Sequence, residues 1–63
     1  MNEVTKLYNK MCLTLERGIE DVEKFEQGNK SAGTRIRKAM QEIKNLAQEV
    51  RVEVQEIKNG ALV

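Results

Sequence analysis

Four basic side chains lie close together near the middle of the chain. Residues 28–38 contain four bases and no acid, a segment charge of +4. The four bases are Lys30, Arg35, Arg37 and Lys38. Ammonium and guanidinium groups bind phosphate oxygens through charge-assisted hydrogen bonds, and glycine lets a backbone approach an anion closely. With Gly28, Asn29 and Gly33 at the expected start of a helix, this segment predicts an anion site suited to phosphate.

A second interpretation of the same charges remains open. Residues 16–26 hold two bases against five acids, a segment charge of −3. If the two segments fold side by side, solvated cross-helix pairs neutralise them, each contributing about 0–1 kcal/mol. The expected partners are Glu20, Glu23 and Glu26 beside Arg35, Arg37 and Lys38.

The residues needed for catalysis or metal binding are scarce. There is no His, and Cys12 and Ser31 therefore have no imidazole to activate them. Carboxylates need an enclosed pocket for acid–base work, which two helices do not provide. We expect no enzyme activity, metal, cofactor or small-molecule substrate, and we expect Cys12 to be a small packing residue.

Two amphipathic helices are predicted to carry these residues. In the second, about 31–58, apolar residues recur at spacings of 4, 3, 4, 3, 4 and 3. They are Ile36, Met40, Ile43, Ala47, Val50, Val54 and Ile57, the predicted oligomer interface, whereas Val52 should be exposed. The first helix, about 2–27, has the same spacing. Its apolar positions are Val4, Tyr8, Met11, Leu15, Gly18, Val22 and Phe25, and Gly18 suggests a kink or a close helix contact.

The turn between the helices is predicted at about 28–30. Gly28 suits the left-handed residue that ends a helix, and Asn29 or Ser31 can cap the next one. A short turn makes the helices antiparallel neighbours, so residues 1–63 should form one all-α domain, a two-helix hairpin. Asn59 and Gly60 should end the second helix.

A single hairpin cannot enclose both apolar stripes. One Cys allows no internal disulfide, and chains this short bury little apolar surface alone. We expect pairing into a four-helix bundle or coiled coil, with a dimer before a tetramer and the orientation of the hairpins open. No apolar run is long enough to span a membrane and no signal-peptide core follows Met1, so we expect a cytoplasmic protein that does not bind membranes.

The basic segment also resembles a known family. Residues 28–39 resemble the signature G-N-K-x-A-G-T-R-x-R-K-A of the bacterial linker-histone-like proteins, known from chlamydiae with short relatives in Bacteroidetes. The continuation Glu42-Ile43-Lys44-Asn45-Leu46 and Glu49-Val50-Arg51 is similar to the family's E-I-x-x-L and E-[FV]-R. The resemblance covers about residues 26–58.

The resemblance implies a nucleoid-associated protein that binds double-stranded DNA without sequence preference and helps to condense it. It implies phosphate contacts from the four bases of the signature, with Gly28 and Gly33 permitting the local backbone geometry. At a net charge of +1, binding should be weak and salt-sensitive. The chlamydial members carry a Lys/Ala-rich tail that these 63 residues lack. The alternative is therefore a structural module that oligomerises or docks to a protein partner without binding nucleic acid.

Overall fold

The computed structural model describes residues 3–61, which form two helices and no strand. Helix α1 comprises Glu3–Glu26 and α2 comprises Lys30–Ala61. The Arg35 side chain contacts Asp21, and Thr14 contacts Glu42, so the two helices run antiparallel. The predicted all-α hairpin is confirmed, and its shape is a rod of 54 × 18 × 11 Å.

The second helix is longer than its sequence signals suggest. It continues through Asn59 and Gly60 to Ala61, so the predicted stop at these two residues is wrong. Gln55 Nε2 donates a hydrogen bond to Asn59 Oδ1 at 3.3 Å, which supports the last turns. Glycine keeps its backbone N–H and costs a helix only about 1 kcal/mol relative to alanine, so the helix can continue through Gly60. Leu62 and Val63 of the expected tail lie outside the described residues.

The turn has a compact hydrogen-bond pattern that explains its glycine. The N–H of Gly28 donates to the carbonyl of Phe25 at 2.9 Å, and the N–H of Asn29 donates to the carbonyl of Lys24 at 3.0 Å. This pair of bonds is a Schellman motif, which requires a left-handed residue, and Gly28 has φ +101°. Asn29 then caps α2, because its Oδ1 accepts from the N–H of Ala32 at 3.2 Å.

Gly18 and Gly33 differ in what surrounds them. A Cβ at Gly33 would lie 2.8 Å from Cε1 of Phe25, so the missing side chain makes room for this ring. A Cβ at Gly18 would meet no atom within 4 Å, so the close helix contact expected there is not present.

This difference predicts opposite results for two alanine substitutions. Gly18→Ala should raise the free energy of unfolding by about 1 kcal/mol, because alanine loses less backbone entropy in a helix and its methyl group meets open space. Gly33→Ala should give no such gain or should destabilise the hairpin, because the Phe25 ring must move. Urea unfolding of both variants measures the difference, and equal stabilisation at the two sites would show that Phe25 does not constrain Gly33.

Each helix packs against the other through only one edge of its predicted apolar stripe. The buried side chains are Leu7, Ala32 and Leu46, exposed by 8, 0 and 4%. The half-buried positions of α1 are Val4, Met11, Thr14, Gly18 and Asp21. Those of α2 include Ile36, Ala39, Ile43, Val50 and Glu53. The polar residues Thr14 and Asp21 therefore lie against α2. Their apolar neighbours Leu15 and Val22, which were expected to pack there, are exposed.

The other edge of the two stripes is exposed and forms what we call the apolar flank. It comprises Tyr8, Leu15, Ile19 and Val22 of α1 with Met40 and Val54 of α2, and the half-buried Ala47 lies between the last two. Leu15, Ile19 and Val22 face Ile36, Ala39 and Met40 across an open groove. Phe25 and Ile57 are also exposed, and so is Val52, as predicted. A hairpin with this flank uncovered leaves much of its apolar surface in water.

Candidate functional site

The structure divides the four predicted phosphate-binding side chains between two sides of α2. Lys30 and Arg37 line one groove together with Phe25, Glu26 and Gly33. Arg35 and Lys38 line a different groove, which they share with Arg17, Asp21 and Glu42 of both helices. The basic segment is therefore not one patch, although all four side chains are exposed.

Arg35 is engaged by an acid of the other helix. Its Nε donates to Asp21 Oδ1 at 2.8 Å, and the Asp21 side chain is only 22% exposed. Arg35 therefore forms a cross-helix ion pair as expected, but its acid is Asp21 and not one of the three glutamates that were predicted. Glu20 pairs instead with Lys24 of its own helix at 3.4 Å. Among residues 3–61, no ion pair joins Lys30, Arg37 or Lys38 to an acid.

The start of α2 offers fewer free backbone donors than an uncapped helix. The first N–H groups of a helix have no acceptor within it. Here the N–H of Asn29 bonds back to Lys24, and Asn29 caps the N–H of Ala32. The N–H groups of Lys30 and Ser31 are then the backbone donors at the start of α2 that an anion can reach. The space beside Gly33 holds the Phe25 ring, so an anion reaches that part of the backbone only if the ring moves.

The sequence-based analysis missed that Lys30 and Arg37 begin a longer series of cations. Bases recur every seven residues along α2, and all five are exposed. This cationic row consists of Lys30, Arg37, Lys44, Arg51 and Lys58. Seven residues are almost two helical turns, so the five side chains share one edge of the helix. Their regular spacing is visible in the sequence, but a count of charge by segment does not reveal it.

The acids of α2 avoid the edge that carries the cationic row. Glu42, Glu49 and Glu56 also recur every seven residues, but at a different position of the repeat, and Glu53 lies beside α1. The positions four residues after the first four cations carry no charge. They are Thr34, Gln41, Gln48 and Gln55. The acids of α2 are therefore kept apart from the cationic row, and they share their side of the helix with Arg35 and Lys38.

Other kinds of site receive little support from the described residues. No group of three metal-ligating side chains occurs among residues 3–61. Within the same residues, neither helix is apolar enough over a sufficient length to cross a membrane. Cys12 is exposed and unpaired with another cysteine, rather than in the core.

Comparison with known proteins gives one family. The family model described as histone H1-like protein Hc1 matches residues 5–60. The resemblance seen over residues 26–58 thus extends through most of α1. Searches of curated proteins and of solved structures gave no match.

Proposed function

The chain belongs to the histone H1-like protein Hc1 family, and from this we propose that it is a bacterial nucleoid-associated protein that binds double-stranded DNA without sequence preference. The observation that carries the proposal is the pair of exposed cations at the start of α2, Lys30 and Arg37, neither of which forms an ion pair with an acid of residues 3–61. Lys38 is a further exposed contact. Arg35 contributes less, because Asp21 already binds its guanidinium group.

Phosphate contacts of this kind explain the lack of sequence preference. Every nucleotide carries the same phosphate, whereas sequence is read from base edges in the grooves. Binding that neutralises phosphates releases counterions and weakens steeply as salt rises. With a net charge of +1, the chain binds DNA through local cations rather than through its overall charge. We place it at the DNA, in the nucleoid of the cytoplasm.

A salt titration of binding to random-sequence duplex DNA tests the proposal. The variant Lys30→Gln/Arg37→Gln/Lys38→Gln should lower the slope of log affinity against log salt by about 3, because each lost phosphate contact removes about 0.9. The control is Lys6→Gln/Lys10→Gln, which removes two exposed cations of α1 that line neither groove and should leave the slope unchanged. An affinity and slope unchanged in the first variant would reject this site.

We also propose that two hairpins pair through the apolar flank. The chain exposes 5226 Å², whereas a compact protein of this mass exposes about 4,100 Å². The excess of about 1,100 Å² exceeds the roughly 800 Å² that each partner buries in a stable interface. Four of the predicted interface residues are half-buried in the hairpin itself: Ile36, Ile43, Ala47 and Val50. The exposed residues Met40 and Val54 therefore contribute most of what α2 offers to a second copy.

Pairing supplies a physical route to DNA condensation. A dimer presents two sets of cations on one particle, and a second phosphate contact then forms at high effective concentration. Two sets can also hold two duplexes together. The apolar flank equally supports the alternative function, a structural module that docks to another protein. That alternative predicts no duplex binding by the unmodified chain even at ~50 mM salt, where phosphate contacts are strong.

A further inference from the structure

We propose that the DNA-binding surface extends along the whole of α2, with the cationic row as its contact line. The inference rests on the proposed function and deepens it, because it adds Lys44, Arg51 and Lys58 to the side chains at the start of the helix. These three lie outside the basic segment and outside the family signature of residues 28–39.

The length of the row suits a duplex. An α-helix rises 1.5 Å per residue, so successive cations are about 10.5 Å apart and the row from Lys30 to Lys58 spans about 42 Å. One helical turn of B-DNA is about 34–36 Å long. A helix lying along a duplex can therefore present cations to phosphates over about one full turn.

The row is free to bind a ligand. Among residues 3–61, none of its five members forms an ion pair, although exposed helices commonly pair bases with acids three or four residues away. Within α2, no acid occupies either of these spacings from any row member. The neighbouring Thr and Gln side chains carry no charge, and such side chains also donate hydrogen bonds to phosphate oxygens. Glu26 shares a groove with Lys30 and Arg37, and Glu56 shares one with Arg51, but neither acid forms an ion pair with the row.

A second copy of the hairpin is a poorer partner for the far half of the row. Because Thr14 contacts Glu42 and Asp21 contacts Arg35, residues 4–15 lie beside the second half of α2. That stretch of α1 contains Lys6 and Lys10 and no acid. Glu16 lines the groove of the apolar flank midway along α1, and the acids from Glu20 to Glu26 lie nearer the turn. In a dimer that keeps the two turns at one end, Arg51 and Lys58 therefore lie nearer to Lys6 and Lys10 of the second copy than to its acidic stretch at residues 16–26.

The chemistry of the row favours a duplex over a single strand. Proteins that bind single-stranded nucleic acid without sequence preference combine a basic groove with aromatic side chains on which bases stack. The row and its Thr and Gln neighbours include no aromatic residue. Tyr8 lies on the other helix, and Phe25 lies at the turn over Gly33. The row offers contacts to phosphates and none to exposed bases.

The test is a salt titration with the variant Lys44→Gln/Arg51→Gln/Lys58→Gln. All three side chains are exposed, so we expect the helical content to be unchanged. The slope of log affinity against log salt should fall by about 3, and affinity for duplex DNA at ~150 mM salt should fall roughly 100-fold. The α1 variant Lys6→Gln/Lys10→Gln loses two exposed cations from outside the row and from outside both grooves, and it should bind as the unmodified chain does.

The outcomes separate this inference from the proposed function. If the unmodified chain does not bind duplex DNA at ~50 mM salt, both fail. If it binds and the row variant keeps its affinity and slope, the row is rejected while DNA binding through the start of α2 stands. If light scattering shows that the row variant has lost a dimer that the unmodified chain forms, the row borders a protein interface and the inference is overturned.

Discussion

Leu46→Asp should unfold the hairpin, whereas Val52→Asp should leave it folded. Leu46 is 4% exposed and is the most buried large side chain of α2, so aspartate there places an unpaired carboxylate between the helices. Such a charge costs about 3–5 kcal/mol in addition to the lost apolar contact. Domains of this size have a total stability of only about 3–9 kcal/mol, so most of it is lost.

Val52 provides the matched control for this prediction. It lies on the same helix, is 45% exposed and undergoes the same chemical change. Aspartate there stays in water and should change the free energy of unfolding by less than about 0.5 kcal/mol. Circular dichroism during thermal unfolding measures both variants. If Leu46→Asp melts at the temperature of the unmodified chain, the helices do not pack through Leu46 and the hairpin described above is incorrect.

Ile19→Asp should produce a folded monomer. The Ile19 side chain is 59% exposed in the hairpin, so the substitution costs the single copy little. In the proposed dimer the same position is covered by a second copy, and each interface then holds two unpaired carboxylates. At about 1.4 kcal/mol per factor of ten, the cost of such charges weakens dimerisation by more than about 100-fold. Sedimentation at micromolar concentration should then show half the mass of the unmodified chain.

The control for the dimer is Leu13→Asp. Leu13 is 49% exposed, comparable with Ile19, but lies about 120° around α1 from it and away from the apolar flank. We expect Leu13→Asp to dimerise like the unmodified chain. If both variants or neither of them lose the dimer, the apolar flank is not the interface. If the unmodified chain is a folded monomer at every concentration, there is no dimer to explain.

The sequence by itself determined the two helices and the turn between them, because these depend on nearby residues. Seven-residue spacing of apolar side chains defines an amphipathic helix whatever it packs against. Gly28 ends α1 through a Schellman motif and Asn29 caps α2, each through bonds to residues within five positions. The regular row of cations on α2 is likewise a property of one helix, and it could have been found from spacing alone.

The tertiary structure alone decided which edge of each stripe is covered. Each stripe is wide enough to pack through either edge, so helical periodicity leaves two alternatives with nearly equal apolar content. The choice depends on how α1 and α2 pack against each other, and the residues that meet there are far apart in the sequence. It places Asp21 beside Arg35 and the Phe25 ring over Gly33, and leaves Ile19 and Met40 in water. These contacts join residues of different helices, and spacing within one helix carries no information about them.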